Sequence, residues 1–273
     1  MYTNKICVKI NCYKGFGYED TLNGIKNAGL RYVELSSSKG NSLGLSQDMT
    51  NEELLNMKND MLSRGLIPIS IGGNSYIMDD DTSKILKNIN IAKIMGCKNI
   101  VETVFNPRND ADSFDSDENI ANKIKFYIPY LEENDLDLVI ELHGNYSTGK
   151  TISNILKLVN NKHVHINYDT GNALFWGKLS VEEMVNDFKE NVDYISYMHV
   201  KDKLGPIDVW NFPAVGSGYI PFKEIFEELH NKNNNATLSI EVEFTDKGVS
   251  EVGEVDKALL DSANYLKSLG FTL

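Results

Sequence analysis

Positive charge is scarce in this chain. Twenty-seven lysines and arginines face 39 aspartates and glutamates, a formal net charge of −12, and arginine occurs only at Arg31, Arg64 and Arg108. A nucleic-acid partner is excluded on that ground, because binding a phosphate backbone relies on Lys and Arg to displace counterions. Cysteine is equally thin: Cys7, Cys12 and Cys97 are odd in number and lack CxxC spacing. That excludes a thiolate zinc site and a disulfide framework and points to a reducing compartment. No apolar stretch approaches the ~20 residues that span a bilayer, and the opening MYTNKICVKI lacks the apolar run of a signal peptide. The expectation is a cytoplasmic protein with no membrane partner.

What remains is an ordinary globular composition, 41% apolar and 24% charged, on a length close to the ~250 residues of an α/β barrel. β-rich runs recur at Ile6–Asn11, Arg31–Ser36, Leu66–Ile71, Asn99–Val104, Asp137–His143, His163–Asp169, Tyr194–Lys201 and Thr237–Phe244. Helical periodicity fills the gaps, at Asn51–Ser63, Thr82–Met95, Glu118–Glu133, Ser180–Lys189, Phe222–His230 and Val255–Leu269. Thr50, Asp81, Asp117 and Ser180 stand as helix starts, and Gly29, Gly65, Gly96 and Gly270 as stops. Eight strands alternating with crossover segments predict a single-domain (β/α)8 TIM barrel over residues 1–273, ahead of an open doubly wound sheet that would leave two edges.

Alternation within the later strands sorts their faces. Leu138, Ile140 and Leu142, then Val164, Ile166 and Tyr168, then Ile240, Val242 and Phe244 form apolar faces suited to cover by helices. The opposite faces read Val139, Glu141, His143; His165, Asn167, Asp169; Tyr197, His199, Lys201; and Ser239, Glu241, Glu243. In a barrel these point inward, and their last members reach the C-terminal end, where active sites of this fold are built. Glu141, Asp169, His199 and Glu241 thus meet at one height. Three carboxylates around one cavity repel one another and resist desolvation unless a cation joins them. One divalent metal ion is expected, with three oxygens and one imidazole suiting Mn²⁺ first, then Mg²⁺, Co²⁺ or Zn²⁺. Glu243 shares the face of Glu241 and is the alternative ligand. Glu34 and Glu102, closing the second and fourth strands, are further candidates for the cavity wall.

Five segments in order, VIELHGN, NYDTGNALFWG, YMHVKDK, AVGSGYIPFKEIFEEL and LSIEVEF, resemble the sugar phosphate isomerase/epimerase group of xylose-isomerase-like TIM barrels. The resemblance is strongest from residue 137 onward. It implies that Glu141, Asp169, His199 and Glu241 bind one divalent cation, and that Glu141 and Glu241 are catalytic. Such a cation polarises the carbonyl of an α-hydroxy ketone or aldehyde and acidifies the adjacent C–H. Two glutamates on opposite sides can then remove and return a proton, giving epimerisation or aldose–ketose isomerisation through an enediolate. The implied partner is a small free or phosphorylated carbohydrate, and a homo-oligomer is left open.

Two departures from the ketose 3-epimerases bear on substrate contacts. Their histidine three residues after the metal-binding aspartate is Asn172 here, and their arginine shortly after the metal-binding histidine is replaced by Lys201 and Lys203. His143, Asn172, Lys201 and Trp176 are the expected substrate-binding residues, with Trp210 and Phe212 extending an apolar wall. A polyol or inosose-type dehydratase on the same metal site and a non-catalytic sugar-binding barrel are the alternatives. The related apurinic endonucleases need several more histidines than the five present, and a basic face. One decoy stands out: Gly144–Thr151, GNYSTGKT, matches the phosphate-loop pattern G-x-x-x-x-G-K-[ST]. It follows directly on Glu141 and His143, which already have a role.

Overall fold

A computed structural model describes residues 2–106 and 109–273; Arg108 lies outside them. The elements run β1 Ile6–Lys9, α1 Tyr18–Asn27, β2 Tyr32–Ser36, α2 Asn51–Ser63, β3 Ile67–Tyr76, α3 Ser83–Met95 and β4 Asn99–Thr103. They continue with α4 Asp117–Asn134, β5 Asp137–Glu141, α5 Gly149–Val159, β6 Val164–Asp169, the short α6 Thr170–Phe175, α7 Val181–Asn191 and β7 Ile195–Val200. The last are β8 Asn211–Phe212, α8 Phe222–Asn231, β9 Thr237–Ile240, β10 Phe244–Thr245 and α9 Val252–Ser268.

Strands β1 to β7 and β9 close into a barrel in that order, every neighbouring pair parallel and closure made by Ile6 opposite Leu238 and Val8 opposite Ile240. The expected single-domain TIM barrel is what forms. Closure leaves no edge strand, so each strand is buried on both faces. The outward faces, among them Leu138, Ile140, Ile166 and Ile240, pack with the helices into one large apolar cluster. Inside the barrel, Val101, Val139 and Tyr197 form a separate small plug. It floors the polar C-terminal end.

Local chemistry explains where the helices begin. Thr50 caps α2 and Ser180 caps α7, each reciprocated by a glutamate, Glu53 or Glu183, three residues on. The start of α4 is capped by Ser116, one residue before the expected Asp117. Asp81 instead accepts from the Ser83 amide and hydroxyl, setting the turn before α3. The helical segments named from periodicity do not include α1, α5 and the short α6, and the paired β8 and β10 escape it too, because an antiparallel ribbon of two residues per strand leaves no pattern to read.

The phosphate-loop match folds as an ordinary helix start. Thr148 caps α5, and the Gly149 and Lys150 amides donate to the Asp187 carboxylate at 2.6 and 2.9 Å. The place where a phosphate would sit holds the chain's own anion. The glycine turn at Gly216–Gly218 is filled in the same way. Asp202 accepts from the amides of Gly216, Gly218 and Ile220.

Candidate metal and substrate site

The C-terminal ends of the strands open into a cavity of about 450 Å³. Glu141 ends β5, Asp169 ends β6, His199 lies at the end of β7 and Glu241 follows β9. Asp169 sits opposite His199 across the β6–β7 ladder. One ligand atom from each of the four residues lies within 4.8 Å of the others. Each is held by a neighbour that fixes its direction. Asp169 caps α6, one oxygen accepting from the Asn172 amide at 2.8 Å. Its other oxygen, Oδ2, and Glu241 Oε2 are buried and have no hydrogen-bond partner. Lys201 Nζ approaches them only to 3.7 and 3.6 Å, and a cation between them would supply the close partner that buried carboxylate oxygens need.

His199 is turned by a residue that strand-end reading left as a marginal candidate. Its Nε2 lies 3.0 Å from Glu34 Oε1, and Glu34 is held in turn by the Tyr197 hydroxyl at 2.7 Å. Nδ1 consequently faces the cluster, 3.4 Å from Glu141, 3.6 Å from Asp169 and 3.2 Å from Glu241. An imidazole oriented through its second nitrogen is the usual arrangement at a metal. Burial works to lower the His199 pKa, but Glu34 and the cluster carboxylates raise it well above the usual range. The site draws positive charge even in the form of a proton. Three oxygens and one nitrogen, with two of the oxygens lacking a hydrogen bond, therefore fit a hard divalent cation.

Glu34 and Glu102 part company here. Both line the cavity as expected, but Glu34 faces His199, whereas Glu102 alternates with the interior residue Val101 and is held to the side. There its Oε1 accepts from Ser75 and Asn88. Burial pushes its pKa to about 8. Glu243 pairs with Lys201 and stands outside the four-residue cluster.

The expected substrate-binding residues line the same cavity: His143, Asn172, Lys201 and Trp176, with Trp210 beside them. Burial lowers the His143 pKa to about 4, so its imidazole is neutral. Its ring centroid lies 4.9 Å from that of Trp176. Asn172 donates to Leu142 O at 2.9 Å, approaches Glu141 at 3.4 Å and accepts from Lys201. Lys201 reaches the cavity past Gly171, where a Cβ would come within 2.7 Å of its Cγ. Phe212 corrects the expected wall: it is fully buried behind Trp210 and Lys201 instead of facing the cavity. Lys203 is withdrawn as well, its ammonium bonded to the carbonyls of Leu204, Pro206 and Val209.

One residue is absent from the sequence expectations altogether. Lys9, at the end of β1, reaches Glu241 at 2.8 Å and Glu141 at 3.7 Å. Burial alone would raise the Glu141 pKa, but Lys9 and then His199 hold it well below the usual carboxylate range. Against the same burial, Lys201, Lys9 and His199 bring Glu241 to about 2. A lysine at the tip of a short strand carries no sequence signal of a site.

A model of the xylose isomerase-like TIM barrel family matches residues 22–269. No curated protein shows a significant sequence match. Among solved structures, the chain is similar to a D-psicose 3-epimerase from Clostridium cellulolyticum H10 (TM-score 0.76, 14% identity, 97% of this chain and 99% of that one). It is similar to a xylose isomerase domain protein from Planctomyces limnophilus (0.73, 14%, 98% and 96%). The probable 3-DHS dehydratase AsbF from Bacillus anthracis also matches (0.70, 14%, 96% and 98%). At these identities the likeness shows the fold.

Proposed function

The chain belongs to the xylose isomerase-like TIM barrel family, and from that premise we propose that it is a divalent-metal-dependent isomerase or epimerase of a small carbohydrate. The observation that carries the reading is the cluster of Glu141, Asp169, His199 and Glu241, two of whose carboxylate oxygens lack a hydrogen bond, set in the wall of a cavity that also offers neutral hydrogen-bonding groups. These four residues would hold the metal. When bound, the metal supplies Lewis acidity that polarises a carbonyl and makes the neighbouring C–H acidic.

The protein's own groups do the rest. Glu141 and Glu241, both kept ionised by their cationic neighbours, take the proton from one face of the carbon and return it from the other. His143, neutral and able to donate or accept, and Asn172 hold hydroxyl groups. Lys201 stabilises negative charge on an oxygen, and Trp176 and Trp210 provide an apolar wall that excludes water from one side. An oxygen-rich donor set puts Mn²⁺ first. Three buried free thiols, Cys7, Cys12 and Cys97, accord with a cytoplasmic setting.

The test is solvent-deuterium incorporation into a panel of ketoses and aldoses with Mn²⁺ present. Exchange at the carbon beside the carbonyl is expected, together with an epimer or isomer. A dehydrated product would move the assignment to the lyases. No exchange with any sugar, while metal still binds, would sink the isomerase reading.

A further inference from the structure

Lys9 stands where β1 leaves the barrel, its side chain 11% exposed. The ammonium lies 2.8 Å from Glu241 Oε1, 3.7 Å from Glu141 Oε2 and 4.0 Å from Glu34 Oε1. These are its ion pairs among the described residues. Lys201 also comes within 3.7 Å of Asp169 and 3.6 Å of Glu241, but its shortest contact is with Glu243, outside the four-residue cluster, whereas the shortest contact of Lys9 is with Glu241 itself. Lys9 is neutralised mainly by the two carboxylates assigned to the metal.

Lys9 and a divalent cation in the cluster therefore draw on the same negative charge. A buried ammonium is strongly unfavourable without a partner, and like charges a few ångströms apart in a poorly solvated site repel far more than in water. With no metal bound, Lys9 keeps Glu141 and Glu241 from repelling each other. A divalent cation held by the other oxygen of each carboxylate, Glu241 Oε2 and Glu141 Oε1, which face His199, draws on the charge that compensates Lys9.

We propose that Lys9 is a built-in competitor for the metal, balancing the carboxylate cluster in the metal-free protein and setting the affinity and residence time of the divalent cation below what the four ligands alone would give. The inference rests on the metal-site reading above, and it assigns Lys9 a tuning role that the ligand set does not contain.

Mn²⁺ binding to the metal-stripped full chain, followed by the paramagnetic resonance signal of free Mn²⁺, tests it with no need for a substrate. Lys9→Met should bind Mn²⁺ at least about tenfold more tightly than the wild type and release it more slowly to a chelator. Lys9→Arg, which keeps the charge, should stay near the wild-type affinity. Unchanged or weaker binding by Lys9→Met, with the wild type binding normally, would overturn the proposal and mark Lys9 as a support for Glu241. No binding by either protein would instead remove the metal reading, and the proposal with it. Should Lys9→Met fold only with Mn²⁺ present, release into chelator decides: slower than wild type supports competition, and equal or faster release refutes it.

Discussion

Glu34 and Glu102 show how much a single residue's face decides. Both close barrel strands and line the cavity, yet one orients the site imidazole and the other is held by Ser75 and Asn88. Glu102 keeps its proton to about pH 8 because burial disfavours its charged form. The unfolded chain loses that proton near the ordinary glutamate value of about 4.3. Between those limits the folded state binds more protons, so this group's contribution to stability falls as pH rises and levels off above pH 8. Glu102→Gln should remove that slope and gain on the order of a few kcal/mol over wild type at about pH 8. Denaturant titrations of both proteins across this range check it, and parallel profiles would refute it. At the site itself, Glu141→Gln and His199→Ala should each lower bound Mn²⁺ in equilibrium dialysis. Unchanged stoichiometry in both would dismantle the ligand assignment.

At the level of elements, the start of α5 shows how a motif and its fold can diverge. The Gly149 and Lys150 amides, free donors in a phosphate loop, are satisfied here by Asp187 of α7, which also accepts from Tyr168. Asp187→Ala would orphan these donors and cost roughly 1–3 kcal/mol, lowering the melting temperature by several degrees. Lys150→Ala should leave Mn²⁺ binding and sugar exchange as they were, whereas loss of either would restore a role for the loop. The strands and most helices were legible, since alternation along β5, β6 and β7 and the caps Thr50 and Ser180 are written in neighbouring residues. So was the inward face of Glu141, Asp169, His199 and Glu241, because each ends a strand with a clear apolar partner face. Asp187, Lys9 and the hold of Glu34 on His199 were not legible, although Glu34 itself stood as a candidate for the cavity wall. Each acts on an element distant in sequence, and β1 brings Lys9 to Glu241 only because it closes the barrel against β9.

The molecule as a whole is acidic, and its cavity gathers carboxylates from strands around the barrel. That distribution attracts divalent cations and repels polyanions. A metal at the cluster would tie together the ends of β5, β6, β7 and β9, the arc that meets β1 at the closure. Binding to the folded state alone stabilises it by mass action, about 2.7 kcal/mol when free Mn²⁺ is a hundredfold above its dissociation constant. For a chain of this size that corresponds to a rise of roughly 5–10 °C in melting temperature. The rise should saturate with Mn²⁺, reverse with chelator and vanish in His199→Ala, because the unfolded chain has no preassembled ligand set. Thermal unfolding with and without Mn²⁺ measures it directly. An equal rise in wild type and His199→Ala would place the bound ion somewhere other than this cluster.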